Sequence, residues 1–219
     1  MSARTSSGAV EAVMGRIFNI MALGLVFTGI ASYITLHSKP ILYFAVNNNM
    51  LLVIAHLALV FFISLKINSI SKTTALYSFL GYSAMTGLVF SPIFLVYTHT
   101  SVVSAFFISA GMFGGMALWG LTTKQDLTTL GSLCVMGLWG VILASLVNFF
   151  MQSTAMALII SYAGVGVFIG LTAWDVQKFK RMASAGMMTE NFAILGALNL
   201  YLDFINLFLF ILNIVGRRR

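Results

Sequence analysis

The sequence predicts an all-α membrane protein, a bundle of seven transmembrane helices, on three observations. Of the 219 residues, 60% are hydrophobic and 8% charged, well under half the charged share of a soluble globular domain. Apolar runs of about 20 residues, the length that carries a helix across the hydrocarbon layer, recur along the whole chain. The basic residues fall mainly in alternate connections, as in a chain threaded through a bilayer.

The spans are expected at 17–37, 50–65, 74–98, 101–121, 128–150, 154–176 and 195–215. Ahead of the first stands MSARTSSGAVEAVMGR, residues 1–16, expected to be a polar cytoplasmic N-terminal tail. The run that follows is too long for a secretory signal and lacks its small-residue cleavage site, so it is expected to stay as an anchor. Residues 17–216 form one seven-helix transmembrane domain, and the arginines at 217–219 form a basic C-terminal tail. Connections are short, with longer ones only after spans one and six. Pro40 falls in the first of these and Pro92 inside span three, the one place where the prolines make a broken transporter helix possible. Gly111 with Gly115 and Gly166 with Gly170 are small-xxx-small pairs that permit close helix approach.

Orientation follows from the cations. Arg4, Arg16, Lys66, Lys72, Lys124, Lys178, Lys180 and Arg181 lie at the N-terminus and in even-numbered loops, while Lys39, Arg217, Arg218 and Arg219 lie on the other side. That distribution places the N-terminus in the cytoplasm. It also argues against nucleic acid as the partner of a chain with formal net charge +7. Seven full crossings put the last three arginines outside; the alternative is that the final segment re-enters and returns.

Few residues are available for chemistry. Cys134 is the single cysteine and falls in span five, so an intramolecular disulfide, a thiolate metal site and a CxxC pair are excluded. His37 and His99 sit at span ends. His56, in LVIAHLALV, has no second histidine or acid one turn away and reads as a packed, hydrogen-bonded imidazole. Of the five acids, Glu11, Asp126 and Glu190 fall in the tail or loops and read as solvated charges.

Asp175, in GLTAWDVQKFK, and Asp203, in LNLYLDFINLFLFILN, are different, since each lies within or at the edge of a membrane helix. An ionised carboxylate costs at least ~2.5 kcal/mol there. At 100° per residue, Asn199, Asp203, Asn206 and Asn213 share an arc of about 80° on the last helix, while Ser161, Gly164, Thr172 and Asp175 group on the sixth. Two polar stripes with one acid each are expected to face one another or a shared wet cavity. Counting from the span ends places Asp203 roughly 9 Å and Asp175 about 4 to 5 Å inside the same boundary, a gap that tilt can close. Neighbouring carboxyls in a poor solvent cannot both ionise cheaply, so the pair shares a proton. Protonated, it would hold two helices together; deprotonated, it would repel itself and face a cation. Oxygen ligands of this kind suit a hard divalent cation, expected here as a transient contact at Asp175 and Asp203, with H⁺ as the controlling ligand.

ALNLYLDFINLFLFIL together with GLTAWDVQKFK resembles the signature of the transmembrane Bax inhibitor motif, or Bax inhibitor-1-like, family. FSPIFLVYT, MFGGMALWGLTTKQDLTTLGS and LASLVNFF are similar to further family stretches in the same order, so the resemblance covers most of the chain from about residue 75 onward. It implies a bacterial-type member in the inner membrane, a bundle with the C-terminal helix central, and a pH-dependent calcium leak whose sensor and gate are, by motif position, Asp175 and Asp203. It further implies a gate arginine near the cytoplasmic end of span two. Here that segment reads FFISLKINSIS, which makes Lys66 the candidate gate cation. No cofactor is implied. Bacterial members are associated with a membrane-anchored AAA protease, so modulation of such a protease is the alternative function. An intramembrane aspartyl protease would need a GxGD motif and a Pro-Ala-Leu loop, which are absent around Asp203; the chain is therefore not expected to be an enzyme.

Overall fold

The computed structural model describes the backbone of residues 2–67 and 69–219, and side chains from residue 8 onward apart from residue 68. The described residues form helices α1 (Ser2–His37), α2 (Lys39–Asn47), α3 (Asn49–Lys66), α4 (Lys72–Phe90), α5 (Ile93–Val96), α6 (His99–Thr122), α7 (Thr128–Met151), α8 (Thr154–Ser184) and α9 (Glu190–Val215). Among them no β-strand occurs. Seven stretches are long and apolar enough to cross a membrane: Gly8–His37, Asn49–Lys66, Lys72–Val96, His99–Thr122, Thr128–Met151, Thr154–Ser184 and Glu190–Val215. The seven-helix class is therefore observed.

Where boundaries depart from expectation, local physics explains it. The polar stretch expected as a tail at 1–16 is helical from Ser2 and continuous with the first span. Val10, Val13, Met14 and Ile17 recur at helical spacing, and Met14 and Ile17 are buried. The side chains of residues 1–7, Arg4 among them, lie outside the described ones. The connection after span one holds α2, whose first turn contains Pro40, a position where the missing N–H goes unused. Pro92 does break span three: α4 stops at Phe90 and a single turn, α5, follows. Helix α8 continues past the expected end at 176 because Val176 and Phe179 prolong its buried face. Helix α9 runs unbroken for 26 residues, about 39 Å at 1.5 Å per residue, which fits a full crossing and leaves no turn for re-entry. It is also the most buried span, with 61% of its most apolar window inside the protein against 17–39% for the other six.

The chain divides into two compact units, residues 1–96 with 182–201, and residues 97–181 with 202–219. In the first, α1 and α4 touch backbone to backbone at Gly87, where any side chain would overlap the Thr28 carbonyl, and Ser32 Oγ donates to Gly87 O at 3.0 Å. His56 is buried as read from sequence, its Nε2 2.8 Å from Thr86 Oγ1 and its ring stacked on Tyr82 at 4.3 Å. The Tyr201 hydroxyl lies 2.6 Å from Thr28 Oγ1. Glu190, exposed as expected, also pairs with Arg16 at 2.5 Å and with Lys72. Asn191 Nδ2 donates to the carbonyls of Ile67 and Ile70, both at 2.8 Å, so the start of α9 holds the α3–α4 turn.

In the second unit, Gly120 of α6 lies against the Ala173 backbone of α8, and Gly170 of α8 against the Cys134 sulfur of α7. Phe204 of α9 sits between Phe106 and Phe113 of α6, with ring centroids 5.6 and 5.7 Å away. The glycine pairs picked from spacing do not mark these approaches, apart from Gly170. A methyl at Gly111, Gly115 or Gly166 would meet nothing of the chain. Spacing shows that two small residues share a helix face, but not which face meets another helix.

Candidate functional site

Asp175 lies on α8 and Asp203 on α9, both in the second unit, and both are buried, 7% and 5% exposed. The two helices are antiparallel, joined by a short turn, and their register can be read from one contact: Asn213 Nδ2 donates to Ser161 Oγ at 2.7 Å. Counting along both helices from that bond brings Asp203 within about one turn, roughly 6 Å, of the level of Asp175. Lys178 Nζ stands 3.8 Å from Asp175 Oδ1. The buried Oδ2 of Asp203 has no hydrogen-bond partner, so the hydrogen-bonded clasp expected from sequence does not engage that oxygen here.

The rest of the polar stripe separates into two kinds. Asn213 and Ser161 join α8 to α9, and Tyr97 adds a longer contact to Asn213 Oδ1 at 3.4 Å. Thr172 and Asn206 bond back to their own helices, through Phe168 O at 2.7 Å and Leu202 O at 2.8 Å, which occupies the Thr172 hydroxyl donor and one of the two amide donors of Asn206. Asn199 is half-buried on the part of α9 that belongs to the first unit, and Lys66 is exposed at the end of α3, also in that unit. Within the second unit, a cation that stands beside Asp175 is Lys178, which the sequence reading counted only among the orientation charges. Its spacing of three residues from Asp175 was the available signal.

Three neighbouring side chains of α8 hold the α6–α7 connection. Buried Gln177 accepts from Leu127 N at 2.9 Å and donates to Gln125 O at 2.7 Å; Lys180 Nζ donates to Leu121 O at 2.6 Å; and Arg181 pairs with Asp126 at 2.9 Å. Asp126 is thus paired while remaining the exposed, solvated charge expected. Its bonds to the Thr128 hydroxyl and N–H, and then to Arg181, hold its carboxyl down to about 2 from the ordinary 3.8. For a depressed acid the stabilising contribution is complete above the ordinary value and fades as pH falls towards 2. Asp126 consequently contributes no pH dependence near neutrality. Gln177→Leu strands the Leu127 N–H and the Gln125 carbonyl, and is expected to cost about 1–3 kcal/mol, read as a lower thermal midpoint in detergent.

Among the described residues no group of three His, Cys, Asp or Glu side chains comes together as a metal site. Ca²⁺ takes six to eight oxygens, so a cation meeting two carboxylates would keep most of its water and stay briefly.

Comparison with known proteins gives concordant matches over nearly the full length. The family model described as inhibitor of apoptosis-promoting Bax1 matches residues 10–219. The chain is 44% identical over 218 residues to the inner membrane protein YbhL of Escherichia coli, covering 96% of this chain and 93% of that one. It is 42% identical over 213 residues to a protein of Borreliella burgdorferi, covering 94% and 92%. A Rickettsia prowazekii protein is 38% identical over 221 residues, covering 99% and 94%.

Proposed function

The chain belongs to the Bax inhibitor-1-like family and is a multi-pass protein of the inner membrane; on that premise we propose that it is a passive calcium leak controlled by a proton shared between Asp175 and Asp203. The observation that carries this reading is the burial of two acids on adjacent antiparallel helices of one unit, at levels about one turn apart by the register of the Asn213–Ser161 bond. Water is scarce there, and two ionised carboxylates side by side are costly. With one proton the pair holds a single negative charge, and α8 and α9 can stay close. Without it, two negative charges repel one another and draw a hydrated divalent cation towards the gap. The N-terminus is taken as cytoplasmic from the cation distribution, which puts the pair nearer the cytoplasmic face and exposes it to cytosolic pH. No catalytic step and no resident cofactor enter the scheme.

The test is calcium entry into proteoliposomes across a pH series, comparing the wild type with Asp175→Asn and Asp203→Asn. Wild-type flux is expected to rise with pH, and both variants are expected to be flat. Variants that titrate as the wild type does would remove the pair from the mechanism.

A further inference from the structure

We propose that the ammonium of Lys178 is a tethered competitor for calcium at the aspartate pair, setting how much calcium the leak needs before it conducts. The inference deepens the function proposed above and rests on it. Lys178 is half-exposed, yet its head group is not left to wander in water. Nζ lies 3.8 Å from Asp175 Oδ1, 4.9 Å from the centre of the Trp174 ring and 5.5 Å from that of Phe179. Two aromatic faces and a carboxylate hold one cation from three sides. The tryptophan is itself fixed, packed so tightly against Gly131 of α7 that any side chain there would overlap its ring. A rigid shelf therefore keeps a positive charge beside the acids.

The other cations on the last two turns of α8 are engaged elsewhere. Lys180 Nζ donates to Leu121 O and Arg181 pairs with Asp126. The second acid, Asp203, has its Oδ2 buried without a hydrogen-bond partner. The 3.8 Å separation is longer than a hydrogen bond, so the ammonium neutralises the pair without being locked to it. A flexible four-carbon stem lets it swing to solvent when a divalent cation arrives. Such a competitor raises the calcium concentration needed for half-maximal flux and affects the maximal flux less.

The experiment is flux against calcium concentration at one fixed pH in proteoliposomes, for the wild type, Lys178→Gln and Lys178→Arg, each first checked for monodisperse elution in detergent. Lys178→Gln is expected to lower the half-saturating calcium by about fivefold, the size of one partly exposed ion pair. Lys178→Arg, which keeps the charge, is expected to stay near the wild type. An unchanged half-saturation in Lys178→Gln, or an equal shift in Lys178→Arg, overturns the proposal. Failure of the underlying reading looks different: wild-type vesicles then admit no more calcium than protein-free ones. If wild-type flux is present and Asp203→Asn flattens its pH response while Lys178→Gln leaves saturation unmoved, the tethered competitor alone is wrong.

Discussion

Gly87→Ala is expected to lower the thermal midpoint of the purified protein by about 2–12 °C, corresponding to an overpacking cost of about 1–3 kcal/mol. The added methyl would overlap the Thr28 carbonyl and crowd the Ala31 Cβ and the Ser32 backbone. Two of these three neighbours are backbone, so relief requires α1 and α4 to move apart. Moving them stretches the Ser32 Oγ to Gly87 O bond and disturbs the site where Thr28 meets the Tyr201 hydroxyl. Lipid cannot substitute for this contact, because helix association within a bilayer depends on close packing and interhelical hydrogen bonds. Gly111→Ala makes the same chemical change at a position where the methyl meets nothing of the chain. There the helix preference of alanine is expected to leave the midpoint unchanged or slightly raised. Equal losses in the two variants would mean that α1 and α4 do not touch at Gly87.

The contrast between these glycines shows what the sequence could reveal. Spans were legible because hydrocarbon imposes a length and a composition on each crossing. Helix α2 was not, since nine residues between crossings face no such demand. The two acids were legible through helical arithmetic, because a carboxylate in an apolar helix needs a reason and its neighbours on the same arc were polar. The depth estimate, which left a gap of about one turn, agrees with the register set by the Asn213–Ser161 bond. Lys178 was not singled out, although its ammonium lies 3.8 Å from Asp175 on the same helix and over the Trp174 ring. The ion pairs of Asp126 with Arg181 and of Glu190 with Arg16 and Lys72 were missed because the partners lie tens of residues or more away, and only folding brings them together.

The double variant Asp175→Asn with Asp203→Asn is expected to behave like either single variant, with calcium flux that is low and independent of pH between about 5 and 8. One shared proton means one titration, so wild-type flux should rise by no more than about tenfold per pH unit, since the macroscopic step belongs to the pair. Replacing either acid by its amide leaves at most one negative charge and no like-charge repulsion. Removing the second acid then has nothing further to abolish, and the effects of the two substitutions should be strongly non-additive. Independent carboxyls predict the opposite: each single variant keeps part of the pH response, the double variant loses the sum, and the wild-type slope approaches two decades per unit. Asp126 does not confuse the comparison, because its carboxyl, held down to about 2, stays ionised throughout this window. The sign of the response tests the electrostatics separately. If repulsion between bare carboxylates opens the path, flux rises with pH; a flux that falls as pH rises would leave the shared proton in place but require the protonated pair to be the conducting one.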